Sequence, residues 1–468
     1  MVMKLSAITW SIFIILIVSI FFVTTSMSVY PITILIIIIG ILLSYRAPYL
    51  VFYSGIAFTP FLGLMVSFGT GNLRIGRAAF GGSIDVSVGE VICIFALFGW
   101  GLRVLFLWLK RHDSIWKPQL PLVLPSLSLF FAHILSLFSS FNPNPLLVLK
   151  FSVRPVLFAY LSYIALPVNF IRSRRRLVVA LSVFCIVATG AALNGLIAIF
   201  FPHDASSIIG RAKPFAIFGI SPIGENQNEL ADILVASAPL TLALAYLCKE
   251  KKYFRVWCYA AFVQAIVALC TFTRTGWIVL ILQAIVLACT TFRESIRMYT
   301  QRIFVGALIV IPLAIGMVFY TFSTSAVSST ATRSMLIGIA LSVFSADPVF
   351  GSGAGSFYEH VAATHIFVQE FGDALDSHGW IWKVGAETGL IGLSALMYFL
   401  ISLVFFAKKE LQYITSEHGK KMASLFLCSA GGGIIYQLFN TDYWTGKMWL
   451  PIGFAIVGLA LSRDILER

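Results

Sequence analysis

Uncharged runs long enough to cross a bilayer recur along this chain. Neither Leu177 to Phe200 nor Ile8 to Thr24 holds an acidic or basic residue. A helix rises about 1.5 Å per residue, so such runs match a hydrocarbon core ~30 Å thick. Lipid offers backbone groups no hydrogen bonds, so an unbroken apolar run must satisfy its own as a helix. Composition agrees. Of 468 residues, 59% are hydrophobic and 11% charged. The mean hydropathy is +0.93, whereas soluble domains carry about 25% charged residues.

The expected fold is therefore all-α: a polytopic membrane protein of about 12–14 transmembrane helices. The candidate spans are 8–24, 31–44, 48–68, 87–108, 122–139, 152–170, 177–200, 230–248, 256–272, 276–291, 303–322, 384–406, 422–439 and 446–462. The first is read as a helix and not a cleaved signal, because no small-residue cleavage site follows it. Val256 to Thr291 as one helix would be roughly 54 Å long, too long for one crossing. It must break at Phe272-Thr273-Arg274-Thr275.

Charge sets the orientation. Of 33 Lys and Arg, 23 fall on the side that carries Arg174–Arg176 and Lys249–Lys252. The positive-inside rule makes that side, and both termini, cytoplasmic. The net charge of +13 then reflects topology and membrane lipids, with no nucleic acid required. The seven cysteines fall within or at the ends of spans and form no CxxC pair, so they act as small core residues.

Ten cations lie on the outer side: Arg74, Arg77, Lys150, Arg154, Arg211, Lys213, Arg274, Arg333, Lys383 and Lys447. The charge bias works against them, so those nearest the membrane need a task. Arg274 sits in a tight turn between two apolar runs. It is either a snorkelling side chain or an anion clamp. Arg333 precedes an apolar run, Met335 to Phe344, too short to span. That run suits an interfacial helix with Arg333 in its first turn, where a cation opposes the helix dipole. Arg211 precedes Gly224-Glu225-Asn226-Gln227-Asn228-Glu229, which otherwise reads as a polar helix cap. Three arginines on one face would suit a diphosphate, because guanidinium binds phosphate in a bidentate fork.

The outer loop 323–383 is expected to carry short interfacial helices. It contains Asp347-Pro348-Val-Phe-Gly351-Ser-Gly353-Ala-Gly355, then Asp376-Ser377-His378-Gly379, with Glu387-Thr-Gly389 soon after. The glycines would let backbone N–H groups approach an anion, or merely form a flexible turn. His378 is either a solvated loop residue or a general base, since imidazole titrates near neutral pH. Glu387, the catalytic carboxylate expected to orient His378, lies inside the next run, where a lone carboxylate is costly; a hydrogen bond to His378 or a charge pair with an outer arginine would offset that cost. His360 and His365 share the loop, but the spacings match no standard metal set and no Asp-x-Asp occurs. No metal or other cofactor is expected.

These residues carry a resemblance. Arg333…Asp347-Pro348-x-x-Gly351-x-Gly353, then His378 and Glu387-x-Gly389-x-x-Gly392, resembles the signature of the O-antigen ligase/polymerase superfamily of bacterial membrane proteins. Thr273-Arg274-Thr-Gly276 is similar to its Ser-Arg-Gly turn, and Gly210-Arg211 through Asn228-x-x-Ala231 to its outer-loop segment. The resemblance covers roughly 205–410. It divides the chain into N-terminal membrane helices, 1–200, and an O-antigen ligase-like region, 201–468.

The resemblance implies a glycosyltransferase-C-like membrane fold in the bacterial inner membrane, with its active site facing the periplasm. It implies transfer of a glycan from undecaprenyl diphosphate to a glycan or lipid A-core acceptor, metal-independent and inverting. Arg211, Arg274 and Arg333 would hold the lipid diphosphate, and His378 would serve the acceptor. Where the family commonly has His-Asn, this chain has His378-Gly379, so Asn226 or Asn228 would supply an amide. Gly353, with Asn226 and Asn228, would be a further substrate contact. The alternative is a multi-span transporter of an anionic solute, with the arginines as its outer ligands; a third reading is an envelope scaffold.

Overall fold

The computed structural model describes residues 30–68, 84–109, 118–201, 210–216, 220–298, 326–371, 375–440, 443 and 445–464. The helices in chain order begin with α1 (Tyr30–Arg46), α2 (Pro48–Phe58), α3 (Val88–Leu109) and α4 (Val123–Leu135). Then come α5 (Pro145–Ser152), which runs through π-helical turns into α6 (Leu166–Phe170), and α7 (Arg174–Phe200), α8 (Gln227–Leu247) and α9 (Lys251–Cys270). The remainder are α10 (Arg274–Cys289), α11 (Arg293–Met298), α12 (Ala326–Ala346), α13 (Phe357–Ala363), α14 (Ile366–Phe371), α15 (Trp380–Gln412), α16 (Glu417–Gln437) and α17 (Gly446–Asp464).

Among the described residues six helices are long and apolar enough to cross a membrane: Val88–Phe106, Pro145–Phe170, Arg174–Phe200, Gln227–Leu247, Lys251–Cys270 and Trp380–Gln412. The expected spans 8–24 and 303–322 lie outside the described residues. Three further apolar helices, Val123–Phe138, Arg274–Cys289 and Ala331–Ala346, are shorter.

Two expectations change. The run 48–68 is not one helix: α2 stops at Phe58, and Met65–Phe68 (β1) pairs antiparallel with Ile84–Ser87 (β2), Val66 opposite Val86. Among the described residues a pair of antiparallel strands therefore interrupts the helices. Pro48 also disfavours a helical Ala47, so the chain bends by 114° between Ile38–Arg46 and α2. The second change is at α12. It has 21 residues, not the ten apolar ones alone, and Arg333 lies two turns inside it. Arg333 therefore lies beyond the reach of the helix dipole, which fades past the first turn.

The chain forms two compact units, Met1–Gln119 with Ala165–Thr273, and Leu120–Ile164 with Arg274–Arg468. They divide differently from the two sequence regions, because the chain passes between them more than once. In the first unit α8 is almost wholly buried and packs on α7 and α9. Polar groups in that apolar interior find partners. The Gln264 amide of α9 accepts from Ser237 and Thr241 of α8, and donates to Thr189 of α7. In the second unit α15 packs on α4, α12 and α17, and α16 packs on α10 and α17. Leu336, Ala340, Val343, Phe357, Val361, Phe367 and Ala386 form a core that seats α13 and α14 on α12 and α15.

Candidate functional site

The site of the second unit is organised by a break in α15. Gly389 has φ +61° and ψ −156°, so the helix stops at Thr388 and restarts at Leu390. Such a break frees carbonyls before it and N–H groups after it. The turn 347–356 takes up both sets. Ser352 and Gly353 N–H donate to the carbonyls of Ala386 and Glu387, each at 2.9 Å. Leu390 N–H donates to Pro348 O at 2.8 Å, and Ile391 N–H to Val349 O at 3.4 Å.

Glycine is required at this clasp. Gly351, Gly353 and Gly355 have φ of +70°, +104° and +85°, where L side chains are strained. A Cβ on Gly351 would also meet the Glu387 carbonyl carbon and the Thr388 nitrogen. The loop after α4 ties the clasp from the other side. The Ser139 hydroxyl donates to Gly351 O, and Ser140 N–H donates to Asp347 Oδ2 at 2.8 Å. Burial nudges the Asp347 pKa up, but the N–H groups of Ser140 and Phe350 and the hydroxyls of Ser140 and Ser139 outweigh it and hold the carboxyl below its usual range.

This changes the reading of the glycines. The N–H of Gly353 is bound to Glu387 O and that of Gly351 to Asp347 O. The anion that the turn meets is internal: the Glu387 carboxylate accepts from Phe357 N–H at 3.3 Å and from Gly355 N–H. Gly353 thus has a structural role, its N–H holding the Glu387 carbonyl.

Glu387 is 1% exposed, and the sequence offered it His378 or an arginine as partner. The structure places Lys383 beside it, Nζ 3.7 Å from Oε1, one turn earlier on α15. The same ammonium bonds both oxygens of Asp376 at 2.7 Å. Lys383 is one of the ten outer cations of the sequence. Its i,i+4 spacing to Glu387 was the signal that would have found it. Tyr443 lies close to Glu387 and Asp376, and stacks on Trp380 with ring centroids 5.3 Å apart.

His378 is half-buried, with φ +45°, a left-handed conformation rare for a residue with a side chain. The next residue, Gly379, lies against the Leu438 carbonyl at the end of α16.

Arg274 and Arg333 lie within electrostatic reach of each other. Arg274 opens α10 just after Phe272, another left-handed residue with φ +55°. Burial lowers the pKa of Arg333, and the charge of Arg274 lowers it further, while Tyr436 of α16 acts in the opposite sense. Two guanidinium groups in electrostatic reach of each other repel, and partial burial strengthens the repulsion.

Arg211 belongs to the first unit. The segment around it is sewn down by Ala212 N–H to Cys270 O, 2.9 Å, and by Asn194, whose amide bonds both backbone groups of Phe215. Asn226 is the N-cap of α8: its Oδ1 accepts from Asn228 N–H at 2.9 Å, and Glu229 completes a capping box. The side-chain oxygen of Asn226 is thereby engaged in helix initiation. Among the described residues no three His, Cys, Asp or Glu side chains converge on a common point. The chain matches no protein-family model and no curated protein.

Proposed function

We propose that the chain is a membrane glycosyltransferase of the O-antigen ligase or polysaccharide polymerase type. It moves a glycan from undecaprenyl diphosphate to an acceptor hydroxyl at the outer edge of the bacterial inner membrane. In this reading the fold is glycosyltransferase-C-like, with 12–14 crossings and cytoplasmic termini.

The observation that carries the proposal is the pair Arg274 and Arg333. Bringing two cations together at a partly buried place is unfavourable on its own, and a dianionic ligand reverses the sign. A diphosphate fits, since each guanidinium can take two oxygens. It is also a good leaving group, whose growing charge fixed cations stabilise in the transition state. The arginines would then do what a divalent metal does in other sugar-diphosphate enzymes. His378 would take the proton from the attacking hydroxyl, which displaces the lipid diphosphate from the anomeric carbon in one inverting step. Glu387 would set the electrostatics on the acceptor side.

Arg274→Ala and Arg333→Ala should each remove glycan product while the protein still inserts. Lysine should restore only part of it, because the fork is lost. Wild-type product in both alanine variants would refute the clamp.

One observation favours the second reading, an anionic-solute transporter: broken helices are common at transporter binding sites, and α15 is broken. Solute uptake by purified protein in liposomes, with no glycan transfer, would decide for it.

A further inference from the structure

The buried ammonium of Lys383 calls for an account beyond that clamp. It is 3% exposed, and a single carboxylate one turn along the same helix, Glu387, would have offset its burial. Instead Nζ reaches out of α15 and takes both oxygens of Asp376 at 2.7 Å, staying 3.7 Å from Glu387. The shorter and better bonds go to the loop residue. Asp376 is two residues before His378.

The stretch from Asp376 to Gly379 is a turn bonded to itself. Ser377 N–H donates to Asp376 Oδ1 at 2.8 Å, and the Ser377 hydroxyl donates to Gly379 O at 3.2 Å. At its centre His378 holds φ +45°. Such a conformation persists only where the surroundings over-determine it. Gly379 abuts the Leu438 carbonyl on one side, and the Asp376 carboxylate anchors the other side to Lys383. The turn cannot relax without breaking a charge-assisted, two-oxygen bond.

We infer that Lys383 and Asp376 form a positioning lock, which holds the Asp376–Gly379 turn and so fixes where the His378 imidazole points. Neither residue touches the reacting atoms; both act through His378. The inference rests on the reading of His378 as the acceptor base, while the lock itself has a readout independent of any reaction.

The experiment uses the full chain in lipid nanodiscs. The first measurement is the rate at which diethyl pyrocarbonate modifies His378, followed by mass spectrometry of its peptide, with His360 as internal reference. The second is transfer from an undecaprenyl-diphosphate glycan, alongside the affinity for undecaprenyl diphosphate itself. Lys383→Met and Asp376→Asn should change the His378 rate several-fold and leave that of His360 alone. Both should lower turnover by ~10²-fold at unchanged lipid affinity, the scale of loss from a misplacement of about 1 Å. Lys383→Arg keeps an ion pair with Asp376 and should recover most of the turnover.

If Lys383→Met leaves the His378 rate and turnover at wild-type values, the lock is refuted. It is refuted equally if turnover and lipid affinity fall together and arginine restores neither, since the pair is then a general staple. Should Lys383→Met fail to accumulate, Asp376→Asn carries the same comparison, because Lys383 then keeps Glu387. A His378 rate that responds to the variants, in a wild-type protein that transfers nothing, would leave the lock standing and overturn the enzyme reading.

Discussion

The strained backbone of His378 and the paired arginines place opposing demands on single residues. If His378 is the base, His378→Ala or His378→Gln should lower turnover by ~10²–10⁴-fold while lipid affinity stays near wild type. Equal losses of both would make the histidine a phosphate ligand. Asp347 offers a test independent of function. Its folded pKa is held below that of an unfolded aspartate, ordinarily about 3.9. Its contribution is therefore present above that unfolded value and is lost as pH falls through the lower folded value. Thermal stability of the purified chain should fall more steeply below about pH 4 in wild type than in Asp347→Asn. Identical profiles would show that Asp347 contributes nothing to the clasp.

At the scale of elements, α15 and the turn 347–356 form one object. Gly351→Ala puts a methyl group against the Glu387 backbone and strains a positive φ. Its cost should be about 1–3 kcal/mol from strain alone, read as a lower unfolding temperature and faster proteolysis near the turn. Gly338 on α12 has open space where its Cβ would be, so Gly338→Ala should be neutral or mildly stabilising. Here sequence reading reached part of the way. It placed a helix break at Phe272–Thr275, because apolar length is a local signal, and α9 ends at Cys270 with α10 opening at Arg274. It expected short helices in the loop 323–383 without placing α13 or α14. It shortened α12, whose first turns, Ala326 to Thr332, are small and polar and carry no apolar period. It could not see that Ser139 closes on Gly351, or that the glycine N–H groups face inward, since those contacts depend on tertiary placement. Lys383 escaped for a different reason: a cation near a membrane edge reads as surface until its neighbours are known.

At the scale of the whole molecule, the proposed arginine clamp predicts independence from divalent ions. Transfer from an undecaprenyl-diphosphate glycan should proceed at an unchanged rate in excess EDTA. Loss restored by Mg²⁺ or Mn²⁺ would show that carboxylates such as Asp376 or Glu387 are ligands instead. The long-range ties of the clasp also set a schedule for making the protein. Ser139 waits for a partner 212 residues downstream, and Ser136 for one 218 residues downstream. At a synthesis rate of about 5–20 residues per second, that is a delay of roughly 10–40 s on the ribosome. The turn after α4 therefore enters the membrane as an unfinished half-fastener, and α15 must be threaded before it can close. A chain cut short between these two segments would carry only its earlier spans and an open clasp.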